Sequence, residues 1–186
     1  MTDWGGVSPP YATITADPPW AYDEGWPLFN DRKGVEHTRR LLDYSTMSVS
    51  DIAEMTVGEV AASDAHLYLW TTNRYLRDAY RVAEAWGFRF AQMLVWCKPP
   101  QGIGPGGAFS NTTEYCLFAR RGTLAAKERV GSTWWNWPRG AHSVKPAAFY
   151  DLVEKVSPGP YIELFARAPR LGWDSYGLGV EAHVPR

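Results

Sequence analysis

Residues 12–20 read Ala-Thr-Ile-Thr-Ala-Asp-Pro-Pro-Trp, a β-branched run that ends abruptly in an acid, two prolines and an indole. Proline fixes φ at about −65° and carries no N–H, so Pro18 and Pro19 leave carbonyls free to point outward as pure acceptors. Asp17 adds a carboxylate beside them, and Trp20 offers a wide aromatic face. Two acceptors and a stacking plate suit a flat molecule with an exocyclic NH2 group. The amine of adenine is a weak nucleophile because its lone pair is delocalised into the ring. Accepting both of its hydrogens favours pyramidalisation and returns electron density to nitrogen, and the carboxylate stabilises the cation that develops during alkylation. Holding both reactants in place supplies much of the remaining rate. The same four residues also describe a stiff loop after a strand; their position directly behind a β-rich run favours the chemical reading.

A sheet is needed to deliver that motif. Residues 11–16, 65–71, 90–97, 113–119 and 161–166 form short apolar, β-branched or aromatic runs, about five buried strands. Between them, residues 74–86 place Tyr75, Ala79, Val82, Ala83 and Trp86 on one helical face, with Gly87 as the stop. Residues 146–156 do the same with Phe149, Leu152, Val153 and Val156, Pro146 being tolerated in the first turn. A shorter helix over 50–55 is capped by Ser48 or Ser50. Strands alternating with helices predict an α/β fold with a mostly parallel sheet and helices on both faces. Ligands of such folds bind beyond the carboxyl ends of the strands. The long irregular segments 21–44, 98–111 and 120–145 are therefore read as binding loops or lids.

The chain has 186 residues, 45% hydrophobic and 21% charged, which suits one domain over 1–186. A net charge of −1 excludes the overall basic field of a free-standing nucleic-acid binder, so a polyanion would be met by local patches. Cys97 and Cys116 lie in apolar runs without metal-type spacing and are read as reduced core thiols, with no metal site expected. The N-terminus lacks a basic flank before an apolar stretch, and no apolar run approaches the ~20 residues of a membrane span. A soluble, cytoplasmic chain is expected. Ten tryptophans and ten tyrosines exceed what a core of this size requires, so some are expected to flank a pocket for a flat ligand.

The motif and its surroundings resemble the amino-methyltransferases that use S-adenosyl-L-methionine and carry an Asp/Asn-Pro-Pro-aromatic signature. With Trp in fourth place, the chain is most similar to the branch named for the 70-kDa subunit, MT-A, of the mRNA adenosine methyltransferase, which includes bacterial and phage adenine methyltransferases. The segments DYSTMS (43–48), LYLWTTNRYL (67–76), AWGFRF, VWCKP, TTEYCLFARRG and HSVKPAAFYDLVEKVSPGPYIELFAR occur in the order of that family, from about Tyr11 to Gly177. The resemblance implies a Rossmann-like methyltransferase fold in permuted order, with the catalytic motif early and the cofactor strand late. It implies that Asp17, Pro18, Pro19 and Trp20 hold the target amine, with Asp17 and the Pro18 carbonyl as acceptors and Trp20 stacking on the base. Tyr44, Glu114 and His142 would serve the substrate side; Lys145, Arg167 and again Asp17 would serve the cofactor. Lys145, at a helix entrance, has a field suited to a carboxylate. One departure stands out: family members follow the Gly-Trp pair with Gly-Asn-Glu or Gly-Asn-Gln, and this chain has Gly177-Leu178-Gly179 instead.

Basic residues cluster in the long segments: Arg32, Lys33, Arg39, Arg40, Arg120, Arg121, Lys127, Arg129, Arg139 and Lys145. If those segments line the mouth of the site, the residues would hold a phosphate backbone, while Trp20, Trp26 and Trp134, Trp135 and Trp137 would stack bases. A duplex target would need its base flipped out to reach Asp17. No further region of about 100 residues is expected to read a sequence. Specificity would rest on the loops, an accessory subunit or a second copy as a homodimer. The resemblance to minimal bacterial and phage members favours DNA adenine over RNA adenosine. A noncatalytic nucleic-acid-binding subunit, and an enzyme acting on a protein amide or small amine, are the readings from other classes.

Overall fold

Strand β1 (Tyr11–Ala16) is built from small, aromatic and β-branched residues that are nearly all buried, the pattern of a strand covered on both faces and both edges. In the computed structural model, which describes residues 2–21, 45–99, 109–138 and 145–177, it lies parallel between β2 (Ala61–Thr71) and β6 (Tyr161–Leu164). With β3 (Arg89–Cys97), β4 (Thr113–Arg121), β5 (Trp134–Trp135) and β7 (Asp174–Tyr176) it forms a seven-stranded sheet of order β5-β3-β4-β2-β1-β6-β7. Pairings are parallel except on the two sides of β4, which runs antiparallel to β2 and to β3. The two strands beyond the expected five, β5 and β7, are two and three residues long, too short to show a hydrophobic period.

Alternation along β2 divides the core. Leu67 and Leu69 point to one face, where they meet Ile14, Ala16 and the helices α1 (Val49–Glu54) and α3 (Leu76–Ala85), with α2 (Val57–Val60) at the margin. Tyr68 and Trp70 point to the other, where α4 (Ala147–Val156) covers them with Phe149, Tyr150 and Val153. Helices thus cover both faces of a mostly parallel sheet, the Rossmann-like arrangement expected. The five residues assigned to the buried face of α3 or the turn before it are each at most 7% exposed. That helix ends where Gly87 takes φ +84°, with Gly87 N–H donating to Glu84 and Phe88 N–H to Ala83, a Schellman closure. Ser48 caps α1 through Asp51 N–H at 3.1 Å. Cys97 and Cys116 are free thiols. No described helix is long and apolar enough to cross a membrane.

One buried polar cluster fixes the middle of β2. His66, 1% exposed, places Nδ1 2.7 Å from Ser157 Oγ and Nε2 3.1 Å from the Leu124 carbonyl oxygen. A carbonyl only accepts, so Nε2 carries the proton and Nδ1 accepts from the Ser157 hydroxyl, which accepts in turn from Tyr68. Burial, opposed by the Leu124 carbonyl and helped by Arg120, holds the imidazole pKa below the ordinary histidine value. Unfolded, His66 titrates at about 6.5, so below that pH the unfolded chain binds the extra proton and stability falls. The unfolding free energy should therefore drop more steeply on acidification from neutrality in the parent chain than in His66→Gln, the excess slope being at most about 1.4 kcal/mol per pH unit. Equal slopes would remove His66 from the acid response.

Candidate active site

β1 ends because Pro18 and Pro19 have no N–H to continue a ladder. The chain then closes a three-residue turn: Trp20 N–H donates to the Pro18 carbonyl at 2.9 Å, and Met47 N–H donates to the Pro19 carbonyl at 2.8 Å, with a parallel bridge between Trp20 and Met47. Neither proline carbonyl is thus the free acceptor expected from the sequence. Each has accepted one hydrogen bond, leaving one lone pair at Pro18 for a further donor. The open aromatic face expected of Trp20 is likewise corrected. Trp20 is 2% exposed, stacks on Tyr75 with centroids 5.2 Å apart, and donates from Nε1 to the Trp70 carbonyl at 3.2 Å. Burying so large an apolar ring against α1 and α3 is favourable by a few kcal/mol, so the indole anchors the motif instead of facing solvent.

Asp17 emerges at the carboxyl end of β1. β4 is antiparallel, so its first residues, Glu114 included, lie at the same edge as the ends of β1, β2 and β3. Lys145 precedes Pro146, the N-cap of α4. Its Nζ lies 3.0 Å from Asp17 Oδ2 and 3.0 Å from Glu114 Oε2, and 4.8 Å from the centroid of the Trp70 ring. Glu114 Oε1 is paired with Lys98, whose ammonium rests 4.4 Å over Trp96. Four charges from four elements form one chain, Asp17–Lys145–Glu114–Lys98. Burial opposes the ammonium of Lys145, yet Asp17 and Glu114 outweigh it and raise its pKa. Burial likewise opposes the Glu114 carboxylate, and Lys145 and Lys98 outweigh it and lower its pKa. Lys145 and Glu114 are therefore held charged near neutrality.

Beside this chain, between the ends of β1 and β6, opens a cleft of about 600 Å³ including its mouth, lined by Asp17, Lys145, Tyr150, Glu163, Arg167 and Arg170 among others. Tyr150 donates to Glu163 Oε1 at 2.6 Å, and the Arg170 guanidinium lies 3.6 Å over the Tyr150 ring. Burial raises the Glu163 pKa despite Tyr150 and Arg170. Arg170 Nε is buried without a hydrogen-bond partner among the described residues. At the exit of β6, Phe165 adopts φ +62°, a conformation that costs an aromatic residue about 1–3 kcal/mol and so marks a backbone held in place by its surroundings. Gly177 runs so close to this turn that a Cβ would fall 2.4 Å from the Ala166 carbonyl oxygen, so glycine is required there.

Of the sequence-predicted site residues, Asp17, Glu114, Lys145 and Arg167 therefore come together at one edge. Tyr44 and His142 lie outside the described residues, as do Trp26, Arg32, Lys33, Arg39, Arg40, Arg139, Leu178 and Gly179. Arg120 and Arg121 do not line this mouth: antiparallel β4 carries them to the opposite edge, where they bind the carbonyls of Leu124 and Gly58. Lys127 is also far from it, with its ammonium on the Glu154 carbonyl near the end of α4. Trp135 and Trp137 stack on each other at 5.1 Å, while Trp134 is 60% exposed on the outermost strand. Sequence reasoning assigned no role to Lys98, Tyr150, Glu163 or Arg170. The available signals were a charge inside the apolar run Tyr161–Leu164 and a lysine directly after β3.

A family model described as MT-A70 matches residues 11–179. The type II methyltransferase M.MunI of Mycoplasma sp is 29% identical over 185 residues, 91% of this chain and 78% of that protein. A putative N(6)-adenosine-methyltransferase MT-A70-like protein of Medicago truncatula is 28% identical over 90% of this chain, and the human N(6)-adenosine-methyltransferase catalytic subunit METTL3 25% identical over 84%. The chain spans about a quarter of the length of each of these two, 26% in both cases.

Lys145→Met would leave Asp17 and Glu114 facing each other with Lys98 alone. Removing one partner of a buried pair costs about 3 kcal/mol or more. Stability from the lowered carboxylate pKa of Glu114 is present above its unfolded value and lost as pH falls through its folded one. The deficit in urea unfolding should therefore hold from neutrality down to the ordinary glutamate value of about 4.3 and shrink below it; a deficit that does not change below that pH would contradict the charge chain.

Proposed function

Because the chain belongs to the MT-A70 family, we propose that it uses S-adenosyl-L-methionine to methylate the exocyclic amine of adenine in DNA. The observation that carries this reading is the position of Asp17: a carboxylate at the carboxyl end of the central strand, next to a Pro18 carbonyl with one lone pair left, on the wall of a cleft.

The residues of that cleft fit the cofactor chemically. Its amino acid end is zwitterionic, and the cleft offers carboxylates in Asp17 and Glu163 and cations in Lys145, Arg167 and Arg170, whose Nε is an unsatisfied buried donor. Lys145 would take the ligand carboxylate, Arg167 and Glu163 the remaining polar groups. When bound, S-adenosyl-L-methionine supplies an electrophilic methyl group. The chain's own part is then positional and electrostatic. Asp17 and Pro18 accept the two hydrogens of the amine, orient its lone pair and stabilise the positive charge that grows on nitrogen. Trp20 holds the turn from beneath, and Tyr44 and His142 are assigned to the substrate side by resemblance alone. No general base is required, because the alkylated amine is acidic enough to lose its proton to water.

DNA is favoured over RNA by the similarity to M.MunI, a type II methyltransferase of which the chain covers 78%. A target base within a duplex would be flipped to reach Asp17. Sequence choice then rests on loops, a second copy or an accessory subunit.

Incubating the purified chain with labelled cofactor and either DNA or RNA, followed by nucleoside mass spectrometry, should give N6-methyladenine in DNA. Label in RNA alone would move the assignment to RNA adenosine, and label in neither would favour a noncatalytic role or another amine. Asp17→Ala should keep the fold by circular dichroism and lose about 10²-fold or more in transfer rate; full activity in that variant would sink the mechanism.

A further inference from the structure

Lys98 has no part in the roles above, yet it ends the charge chain. It follows the last residue of β3, its N–H donates to the Thr112 carbonyl at 2.7 Å, and its side chain is only 15% exposed, stacked over Trp96. Glu114 uses its two oxygens separately, Oε1 for Lys98 and Oε2 for Lys145. Lys145 in turn divides its ammonium between Glu114 and Asp17 at equal distances. Two acids and two lysines balance. Without Lys98, Lys145 would be the single counter-ion of two carboxylates among the described residues, in surroundings of Trp70, Trp96 and the fully buried Cys116.

The consequence appears when a ligand carboxylate arrives, a step that rests on the proposed function. A third carboxylate drawn to Lys145 shares an ammonium already divided between Asp17 and Glu114, so the hold on Glu114 weakens. A partly buried carboxylate left without a cation is costly, and it escapes the cost by taking up a proton. We infer that Lys98 is a positioning residue: it keeps Glu114 ionised and oriented, so that Lys145 can turn from Glu114 to the carboxylate of the methyl donor. The charged and titratable groups around Glu114 support this division. Lys98 comes from β3 and Lys145 from the entrance of α4; Asp17 reaches Glu114 only through Lys145; and the Cys116 thiol on β4 is kept neutral by burial. Lys98 is thus the one group among them able to stay with Glu114 when Lys145 leaves.

The test is calorimetric titration with S-adenosyl-L-homocysteine, in two buffers of different ionisation enthalpy, at about pH 6.5. The parent chain should bind with little proton exchange. Lys98→Met should bind about tenfold or more weakly, with uptake of a sizeable fraction of a proton as Glu114 neutralises. Lys98→Arg should restore both values. In a double-mutant cycle, Lys98→Met should have little effect once Glu114→Gln has removed the charge it balances. Unchanged affinity in Lys98→Met, or weak binding without proton uptake and equally weak in the Glu114→Gln background, would overturn the positioning role. Failure of the parent chain itself to bind would instead overturn the cofactor reading, and this inference with it.

Discussion

One ammonium group organises the candidate site. Lys145 lies within hydrogen-bond distance of two carboxylates, Asp17 and Glu114, that arrive from different strands. Two acids this close would ordinarily repel, and one of them would take up a proton. The lysine removes that conflict, and the acids in turn keep a largely buried lysine charged. The arrangement depends on the sheet. β1 must end in prolines for Asp17 to leave the ladder, and β4 must run antiparallel for Glu114 to open at the same edge. α4 must begin there for Lys145 to enter from the opposite face of the sheet to α1 and α3.

This dependence explains which parts of the site were legible in the sequence. The strand before Asp17 and the buried face of α3 were readable because local periodicity and proline chemistry decide them. The meeting of Asp17, Lys145 and Arg167 was expected from the family resemblance, which assigns all three to the cofactor, and agrees with ligand sites lying beyond the carboxyl ends of the strands. What failed was everything that depends on tertiary partners. Trp20 looked like a free aromatic plate because nothing local indicates that Tyr75, 55 positions later, stacks on it. Arg120 and Arg121 looked like phosphate ligands because they open the long segment 120–145, read as lining the mouth of the site. The link between β3 and β4 contains no described helix, and reversing β4 exchanges its ends: Glu114 joins the site and the two arginines leave it.

The cleft beside the charge chain shows the same reliance on packing. Tyr150 comes from the helix that covers one sheet face, and Glu163 from a strand next to β1; their hydrogen bond joins the two layers at the wall of the cleft. Phe165, in its unfavourable backbone conformation, and Gly177, pressed against Ala166, fix the turn that follows β6. Membership of the MT-A70 family at 24–29% identity to its relatives is consistent with a fold in which a few edge residues carry the chemistry. The remaining positions need only maintain the sheet that presents them.

On the proposed function, the Lys145 ammonium is held ready for a ligand carboxylate in the cleft between β1 and β6. A crystal structure of the chain bound to S-adenosyl-L-homocysteine tests it most directly. The ligand should lie in that cleft, its carboxylate within hydrogen-bond distance of Lys145, with Glu114 retained by Lys98. A ligand bound elsewhere, or one in the cleft that leaves Lys145 on Asp17 and Glu114 and makes no contact with it, would contradict the account.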